Sequence, residues 1–320
     1  MSVHSSANTY TPDEMMTIAA ARLIWPGCVC FVGIGVPSAA ANLARLTHAP
    51  DMVLIYESGG IGTHPRVLPL SIGDGELAET ATAVVSLPEI FSYWLQAGRI
   101  DVGFLGAAQI DRFGNLNTTV IGGYNKPKTR LPGAGGAPEI ALHAKQIFVV
   151  LKQSPRSFVG KLDFCTSAGF LNGNGERAQR GLPGAGPQVV ITDMGILKPA
   201  TRSQELTLVA RYENASVDRI RAATGWPLAV ADTIDVVAAP TAEELRVLRD
   251  LHKRTAIAHA GDARRSSKIP RAAAGQVNLL TRVPIAIPPS EPSCPDPKRG
   301  QSWRAMPRWC RPRIRASTHS

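Results

Sequence analysis

The amino-acid sequence predicts an α/β fold, an open and largely parallel sheet with flanking helices, formed by residues 1–262 as one domain. The first observation is a series of short apolar runs rich in Val and Ile, typical of strands buried on both faces. The second is that segments with helix-start signals alternate with these runs. The third is a hydrophobic content of 44% in 320 residues, which is sufficient for a large core.

The elements can be assigned in order along the chain. Thr11, Pro12 and Glu14 form a capping box with proline at the first helical position, so a helix begins there and stops at Pro26-Gly27. Glycine ends the amphipathic helix that precedes Gly98. Helices are predicted at residues 12–25, 37–46, 87–97, 216–223 and from Thr241 onward, and strands at residues 28–35, 51–56, 101–107, 146–153, 188–197 and 205–212. Residues 170–187 are predicted to form a long surface loop that could cover a site.

The most informative segment is an apolar strand that ends in a carboxylate followed by glycines. Residues 52–56 (MVLIY) favour a buried parallel strand, and Glu57 comes directly after them. Open α/β sheets bind ligands at the carboxyl ends of their strands. Gly59, Gly60 and Gly62 leave a nearly side-chain-free backbone that a large group could approach. The alternative is a solvated, inert glutamate at an ordinary strand exit.

Four motifs in a fixed order extend this interpretation. They are ESGGIG (57–62), SIGDGELAET (71–80), DVGFLGAAQIDRFGNLNTT (101–119) and LPGAGGAPEIA (131–141). Together they resemble the beta subunits of family I coenzyme A (CoA) transferases, over roughly residues 12 to 258. The resemblance is nearest to the subunits that act on 3-oxoadipate and glutaconate.

The resemblance implies a covalent transfer of CoA. The family's nucleophile is a strand-end glutamate, and Glu57 matches it. The implied reaction moves CoA from succinyl-CoA to a dicarboxylic acid through a glutamyl-CoA thioester. The preferred acceptor is 3-oxoadipate, in aromatic-compound degradation, and glutaconate is the alternative. CoA thioesters are then substrates, and no cofactor is permanently bound. The implied partner is an alpha subunit in equal stoichiometry. A thioester or ring-opening hydrolase and a non-enzymatic sensor on the same fold are the alternatives.

The resemblance also places an oxyanion site in the segment LPGAGGAP. A glycine-rich loop of the family supplies one hydrogen-bond donor to the thioester oxygen, and the alpha subunit supplies another. The matching donor here is Gly135 or Gly136, and the sequence does not choose between them. Ser58, Gly59 and Gly60 are further candidates for a loop around the substrate or CoA.

Several polar residues have both a functional and a structural explanation. Lys126, Lys128 and Arg130 could meet CoA phosphates or a dicarboxylate, or could be a solvated surface. The other groups favour structural roles: a solvated helix start for Asp74, Glu76 and Glu79, and loop hydrogen bonds for Asn115 and Asn117.

The spacing of the glycines and cysteines indicates neither a nicotinamide site nor a metal site. In GIGVPSAA (33–40), Ser38 stands where the third glycine of a dinucleotide fingerprint belongs. The five cysteines lack zinc-type spacing, so no metal is expected, and Cys28 and Cys30 are interpreted as small core residues.

The positive charge is confined to the C-terminal segment. Residues 263–320 contain twelve Lys and Arg, two acidic residues and nine prolines, and carry the whole net charge of +10. The remainder has 23 basic and 23 acidic residues, so no nucleic-acid partner is expected of it. We expect a disordered tail that binds polyanions, is inert, or arose from a shifted reading frame. No apolar run of membrane-spanning length and no signal peptide is recognised, which favours a cytoplasmic protein.

Overall fold

The computed structural model describes the backbone of residues 9–268 and the side chains of residues 9–260. Ten strands of this part form one mixed sheet, and two two-stranded hairpins lie outside it. The strands are β1 (Val29–Val32), β2 (Val53–Tyr56), β3 (Gly60–Ile61), β4 (Ala83–Val84), β5 (Val102–Leu105), β6 (Gln109–Ile110), β7 (Leu116–Asn117), β8 (Val120–Gly122), β9 (Pro127–Arg130), β10 (Gln146–Val150), β11 (Pro187–Ile191), β12 (Gly195–Pro199), β13 (Leu206–Arg211) and β14 (Ala229–Val236). The helices are α1 (Pro12–Arg22), α2 (Val36–Leu46), α3 (Gly75–Glu79), α4 (Leu87–Glu89), α5 (Ala137–His143), α6 (Glu176–Gln179), α7 (Val217–Ala222) and α8 (Ala242–Lys268), and a π-helix (Ile90–Leu95) directly follows α4.

The sheet has a parallel centre and mixed edges. Its order is β14-β13-β12-β11-β10-β5-β1-β2-β3-β4, and the run from β11 to β2 is parallel throughout. Antiparallel pairings join β3 and β4 on one side and β12 and β13 on the other. The predicted open, largely parallel α/β fold is therefore confirmed. The chain passes from β1 to β2 on one side and returns to β5 on the other, so the strand order reverses at β1. Crevices beside such a reversal are where open α/β sheets bind ligands.

An apolar layer packs against each face of the sheet. Helices α1, α2 and α8 pack on one face, where Cys28 and Cys30 are fully buried as predicted. Helices α5 and α7 and the β6–β7 hairpin cover the other face. Successive side chains of β2 alternate between the layers, with Leu54 on the first face and Ile55 on the second. Each fully buried aliphatic side chain of this kind contributes about 1.5–3 kcal/mol to folding.

Helices α1 and α8 are joined by reciprocal ion pairs. The predicted capping box of α1 is present, with Thr11 N donating to Glu14 Oε2 at 2.8 Å and Glu14 N donating to Thr11 Oγ1 at 3.1 Å. Glu14 also pairs with Arg249 of α8 at 2.6 Å. Reciprocally, Glu244 in the capping box of α8 pairs with Arg22 of α1 at 2.7 Å. Burial would raise the pKa of Glu244, but hydrogen bonds from Arg22 and the Thr241 cap outweigh it and hold that pKa at about 2.

The segment predicted as one strand at residues 188–197 is a hairpin instead. Strand β11 ends at Ile191 and β12 begins at Gly195, antiparallel to it. Thr192 makes the turn, because its hydroxyl donates to Gly195 O at 3.0 Å and accepts from Gly195 N at 3.0 Å. The continuous apolar character of the segment concealed this polar turn.

The loop at residues 170–187 is anchored from within. Arg177 lies in it with only 3% of its surface exposed, although arginine is rarely buried. Its guanidinium donates to six backbone carbonyls of the surrounding chain, among them Ala141 O at 2.9 Å and Pro183 O at 2.6 Å. The loop is thus packed against the end of α5 and includes the short helix α6, rather than lying wholly on the surface.

Helix α8 continues past the predicted start of the tail. It runs to Lys268, so its backbone extends six residues into the segment that was predicted to be a disordered tail. The rest of the predicted tail lies outside the described residues. Before that point, Thr255 Oγ1 accepts from Leu68 N at 2.9 Å, and His259 Nε2 lies 3.0 Å from Leu68 O. No helix within residues 9–268 is long and apolar enough to cross a membrane.

We expect a chain that ends at Lys268 to keep the melting temperature of the full-length protein, because the contacts to Leu68 are retained. The truncated chain should elute from heparin at lower salt, since the removed residues carry nine of the 35 basic residues. A chain that ends at Lys253 is the control, and losing both contacts should cost it about 1–3 kcal/mol. A lowered melting temperature on removal of residues 269–320 would contradict the prediction that these residues are not needed for stability.

Candidate active site at the carboxyl ends of the central strands

Glu57 is positioned by the last residue of β2. Tyr56 is fully buried, and its hydroxyl lies 2.6 Å from Ser38 Oγ on α2. Ser38, the residue that breaks the dinucleotide fingerprint, therefore fixes the end of the strand. Because side chains alternate along a strand, Glu57 continues the face of Ile55. A turn closed by Gly59 N and Tyr56 O at 3.1 Å follows directly. Glu57 thus lies half-buried at the carboxyl edge of the sheet.

A cleft of about 360 Å³ opens at this edge, beside the point where the strand order reverses. The ends of β1 and β5 form its floor, and the loop at residues 132–136 with the start of α5 forms one wall. Its lining consists of Phe31, Val32, Gly33, Ile34, Pro37, Glu57, Ile72, Phe104, Leu105, Gly106, Pro132, Gly133, Ala134, Gly135, Gly136, Ala137 and Ile140. Glu57 is the one ionisable side chain among these lining residues. An apolar cleft with a single carboxylate suits a reaction that excludes water.

Burial controls the charge of this carboxylate. It raises the pKa of Glu57 above the usual value for a glutamate, because the charged form loses hydration. Among the described residues, no hydrogen bond or ion pair to the Glu57 carboxylate offsets this loss. An unpaired, partly desolvated carboxylate is more basic, and hence a better nucleophile, than a solvated one.

The structure separates the two oxyanion candidates. A Cβ added to Gly136 would lie 2.8 Å from Glu57 Oε2, so this residue adjoins the carboxylate. A Cβ added to Gly135 would have no atom within 4 Å, and Gly135 has a left-handed φ of 50°. Neither backbone N–H donates to any residue of the described chain. Both groups are therefore available to a ligand in the cleft, and that of Gly136 belongs to the residue beside Glu57.

Sequence reasoning missed Phe91. The predicted helix at residues 87–97 is in fact α4 followed by the π-helix, in which Gln96 N donates to Phe91 O at 2.8 Å. Phe91 Cζ lies 2.5 Å from the position of a Cβ on Gly136, so the ring edge is close to both Gly136 and Glu57. The signal for it was weak: an aromatic-rich run directly after Pro88-Glu89. π-Helical turns occur frequently at functional sites.

The glycines after Glu57 serve the chain itself. A Cβ on Gly59 would collide with the carbonyl oxygen of Val85, and Gly59 has a φ of 113° that other residues rarely adopt. Gly60 forms β3 and pairs with Val84 of β4. The large group that approaches this backbone is thus β4. Ser58 is exposed, and neither Ser58 nor these two glycines lines the cleft.

The predicted basic cluster does not line the cleft. Lys126, Lys128 and Arg130 are exposed on the β8–β9 hairpin. Arg130 stacks over the Tyr124 ring at 4.9 Å and donates to Tyr124 O at 2.9 Å. The hairpin precedes the glycine loop in the chain, but the structure brings none of these three cations to the cleft.

The polar groups that were given structural explanations have structural partners. Asp74 caps α3 by accepting from Glu76 N at 3.2 Å. Asn115 donates to Leu171 O and Asp111 Oδ2, each at 2.8 Å. Asn117 donates to Gln109 Oε1 at 2.7 Å. Asn115 and Asn117 shape loops beside the second apolar layer, and none of these residues lines the cleft.

Comparison with known proteins points to one family. A model described as "Coenzyme A transferase" matches residues 13–223. The chain is 60% identical to the B subunit of 3-oxoadipate CoA-transferase from Pseudomonas knackmussii over 252 residues, which are 79% of this chain and 97% of that protein. It is 37% identical to the B subunit of glutaconate CoA-transferase from Acidaminococcus fermentans, over 75% of this chain and 92% of the relative.

A solved structure agrees with these sequence relatives. The crystal structure of glutaconate coenzyme A-transferase from Acidaminococcus fermentans superposes with a TM-score of 0.72 at 34% sequence identity. The match covers 76% of this chain and 95% of that one. The similarity therefore extends over nearly the whole of the relative.

Proposed function

Because the chain belongs to the coenzyme A transferase family, we propose that it is the beta subunit of an enzyme that moves CoA between carboxylic acids, with Glu57 as the covalent nucleophile. The observation that carries the proposal is the placement of Glu57. It is half-buried at the carboxyl end of β2 and is the one ionisable side chain among the described residues that line the cleft.

The proposed reaction proceeds in balanced steps. The ionised Glu57 carboxylate attacks the thioester carbon of the donor, and the CoA thiolate leaves, giving an acyl-glutamyl anhydride. The thiolate then attacks the glutamyl carbonyl, which forms the Glu57–CoA thioester and releases the donor carboxylate. The acceptor carboxylate repeats the two steps in reverse. The overall reaction exchanges one thioester and one carboxylate for another such pair, so it is close to thermoneutral.

The residues around Glu57 have separate tasks in this scheme. The raised pKa of Glu57, caused by burial, makes the carboxylate a stronger nucleophile. The unpartnered N–H of Gly136 supports an oxyanion donor there, because each tetrahedral intermediate carries a negative oxygen beside this residue. The apolar walls, with Phe31, Phe104 and Ile140, exclude water and so protect the thioester from hydrolysis. That protection favours a transferase over a hydrolase.

The proposed acceptor follows from the relative with 60% identity, whose name makes 3-oxoadipate the first candidate. The resemblance to the family I CoA transferases makes succinyl-CoA the proposed donor. Glutaconate is the second candidate acceptor, on the relative with 37% identity. Both relatives are one of two different subunits of their enzymes by name, which supports an alpha subunit as the partner of this chain. The cleft also supports this partner, because no cation among its lining residues can bind a substrate carboxylate.

We expect the purified chain to be inactive alone and to gain activity on mixing with a matching alpha subunit. The measurement is succinyl-CoA:3-oxoadipate exchange, with the mass of the complex determined in parallel. Glutaconate offered at equal concentration should give a lower kcat/KM. Full turnover by the isolated chain would contradict the two-subunit proposal, and a preference for glutaconate would reverse the choice of acceptor.

A further inference from the structure

The ring edge of Phe91 lies close to the candidate nucleophile. Phe91 Cζ and Glu57 Oε2 lie 2.5 Å and 2.8 Å from one point, the position of a Cβ on Gly136. The aromatic edge and the carboxylate oxygen therefore both border the space that a side chain at position 136 would occupy. Only glycine fits at this position while both groups stay in place, because any Cβ would overlap both.

Phe91 is held in this position by its own packing. Its ring makes an edge-to-face contact with Phe31 of β1, with centroids 6.1 Å apart. It also packs against the second apolar layer. The wide π-helical turn carries it, and the neighbouring Tyr93 on the same turn points outward with 62% of its surface exposed. The fold thus selects one aromatic side chain of this turn for contact with the site.

No charged group explains the environment of the carboxylate. The ionisable residues on the elements packed around it are engaged elsewhere: Glu89 accepts from Ser86 N at 2.8 Å, Glu139 pairs with His143 at 3.2 Å, and Asp74 caps α3. The nearby Tyr56 hydroxyl is bound to Ser38. Desolvation by uncharged neighbours is the cause that remains, and the ring edge of Phe91 is one such neighbour, beside Gly136 and Glu57 Oε2.

We propose that Phe91 is a positioning residue for the nucleophile: its ring excludes water from one side of the Glu57 carboxylate and limits the orientations that the carboxylate can take. The inference deepens the proposed function, on which its catalytic meaning rests. A carboxylate held dry and in one orientation attacks a thioester faster than one that is hydrated and mobile. The position of Phe91 beside Glu57 does not depend on the alpha subunit, so it can be tested in the chain alone.

The test is a direct titration of Glu57 in the full-length chain. Glutamate labelled with ¹³C at Cδ reports the pKa of each carboxyl group, and the Glu57→Gln variant identifies the Glu57 signal. Phe91→Ala should lower the pKa of Glu57 toward about 4.3, the ordinary glutamate value. Phe91→Met, which keeps an apolar cover, should restore most of the wild-type pKa. Tyr93→Ala removes an exposed ring from the same turn and should leave the pKa unchanged.

Activity with the alpha subunit gives a second readout. Phe91→Ala should lower kcat by on the order of ten- to a hundredfold, with a smaller effect on KM. The acid limb of its plot of kcat against pH should move to lower pH. Phe91→Met should recover part of kcat. An unchanged Glu57 pKa in Phe91→Ala, or an equal shift in Tyr93→Ala, would overturn the inference. If the pKa shifts as expected but the wild-type complex transfers no CoA, the proposed function fails and the role of Phe91 in covering Glu57 stands.

Discussion

Replacing Glu57 with Ala or Gln should abolish CoA transfer while leaving the fold intact. Loss of a covalent nucleophile lowers kcat by on the order of 10³-fold or more, because no other ionisable side chain among the described residues lines the cleft. The measurement is CoA exchange by the complex with an alpha subunit, with the circular dichroism spectrum recorded for each variant.

Although Glu57→Gln should lose activity, it should be more stable than the wild type at neutral pH. Burial raises the pKa of Glu57 in the folded chain, so the folded state binds this proton more tightly than the unfolded state. The stabilisation that this proton gives to the folded state is therefore complete below the unfolded pKa of about 4.3. It is lost as the pH rises through the raised pKa of the folded state. At neutral pH the ionised carboxylate opposes folding, and Glu57→Gln should melt at a higher temperature than the wild type. The difference should shrink as the pH approaches 4.

Asp51→Asn is the matched control for this experiment. Asp51 is an exposed carboxylate just before β2, at the opposite end of the strand from Glu57. Its replacement should change neither the exchange rate nor the melting temperature at pH 7. A Glu57→Gln variant that retains transfer, or that is less stable than the wild type at pH 7, would contradict the role and environment assigned to this residue.

Gly136→Ala should be nearly as damaging, although the change adds one methyl group. The φ of Gly136 is −82°, which alanine adopts without strain, so the backbone itself tolerates the substitution. The new Cβ would lie 2.8 Å from Glu57 Oε2 and 2.5 Å from Phe91 Cζ, and both groups would have to move. Displacing a nucleophile by about 1 Å costs on the order of a hundredfold in rate. The overpacking should cost about 1–3 kcal/mol of stability.

Gly135→Ala separates contact from backbone strain. Its φ of 50° disfavours alanine by roughly 1–2 kcal/mol, but the new Cβ meets no atom within 4 Å. This variant should therefore lose comparable stability and much less activity than Gly136→Ala. Exchange rates and melting temperatures of the two variants, measured side by side, decide the point. Equal losses of activity would show that contact with Glu57 is not what makes Gly136 necessary.

The sheet was predictable because its central strands are buried on both faces. The runs at residues 51–56, 101–107 and 146–153 carry enough Val, Ile and Phe to indicate parallel strands without any periodicity. The hairpin at residues 187–199 was not, since its turn depends on a side-chain contact between Thr192 and Gly195 that no apolar pattern encodes. The buried Arg177 was concealed in the same way, because its partners are backbone carbonyls.

The candidate site was predictable to the extent that it lies at a strand end. Glu57 follows a recognisable strand, and the motif order led to Gly135 and Gly136, both of which line the cleft. Gly59 was linked to a ligand, whereas its lack of a side chain makes room for the Val85 carbonyl. Phe91 could not be found, because its relation to Glu57 depends on a π-helical turn and on contacts across the sheet edge. The sequence therefore led to Glu57 as the candidate nucleophile, and only the tertiary structure showed which residues surround it.

The most direct test of the central claim is to trap the CoA adduct. The complex with an alpha subunit is incubated with succinyl-CoA and no acceptor, treated with borohydride to reduce any enzyme thioester, digested, and analysed by mass spectrometry. We expect one modified peptide, containing residues 53–62, with Glu57 converted to the corresponding alcohol, and none in the Glu57→Gln variant. A reduced residue at any other position, or full exchange activity without an adduct at Glu57, would contradict the account.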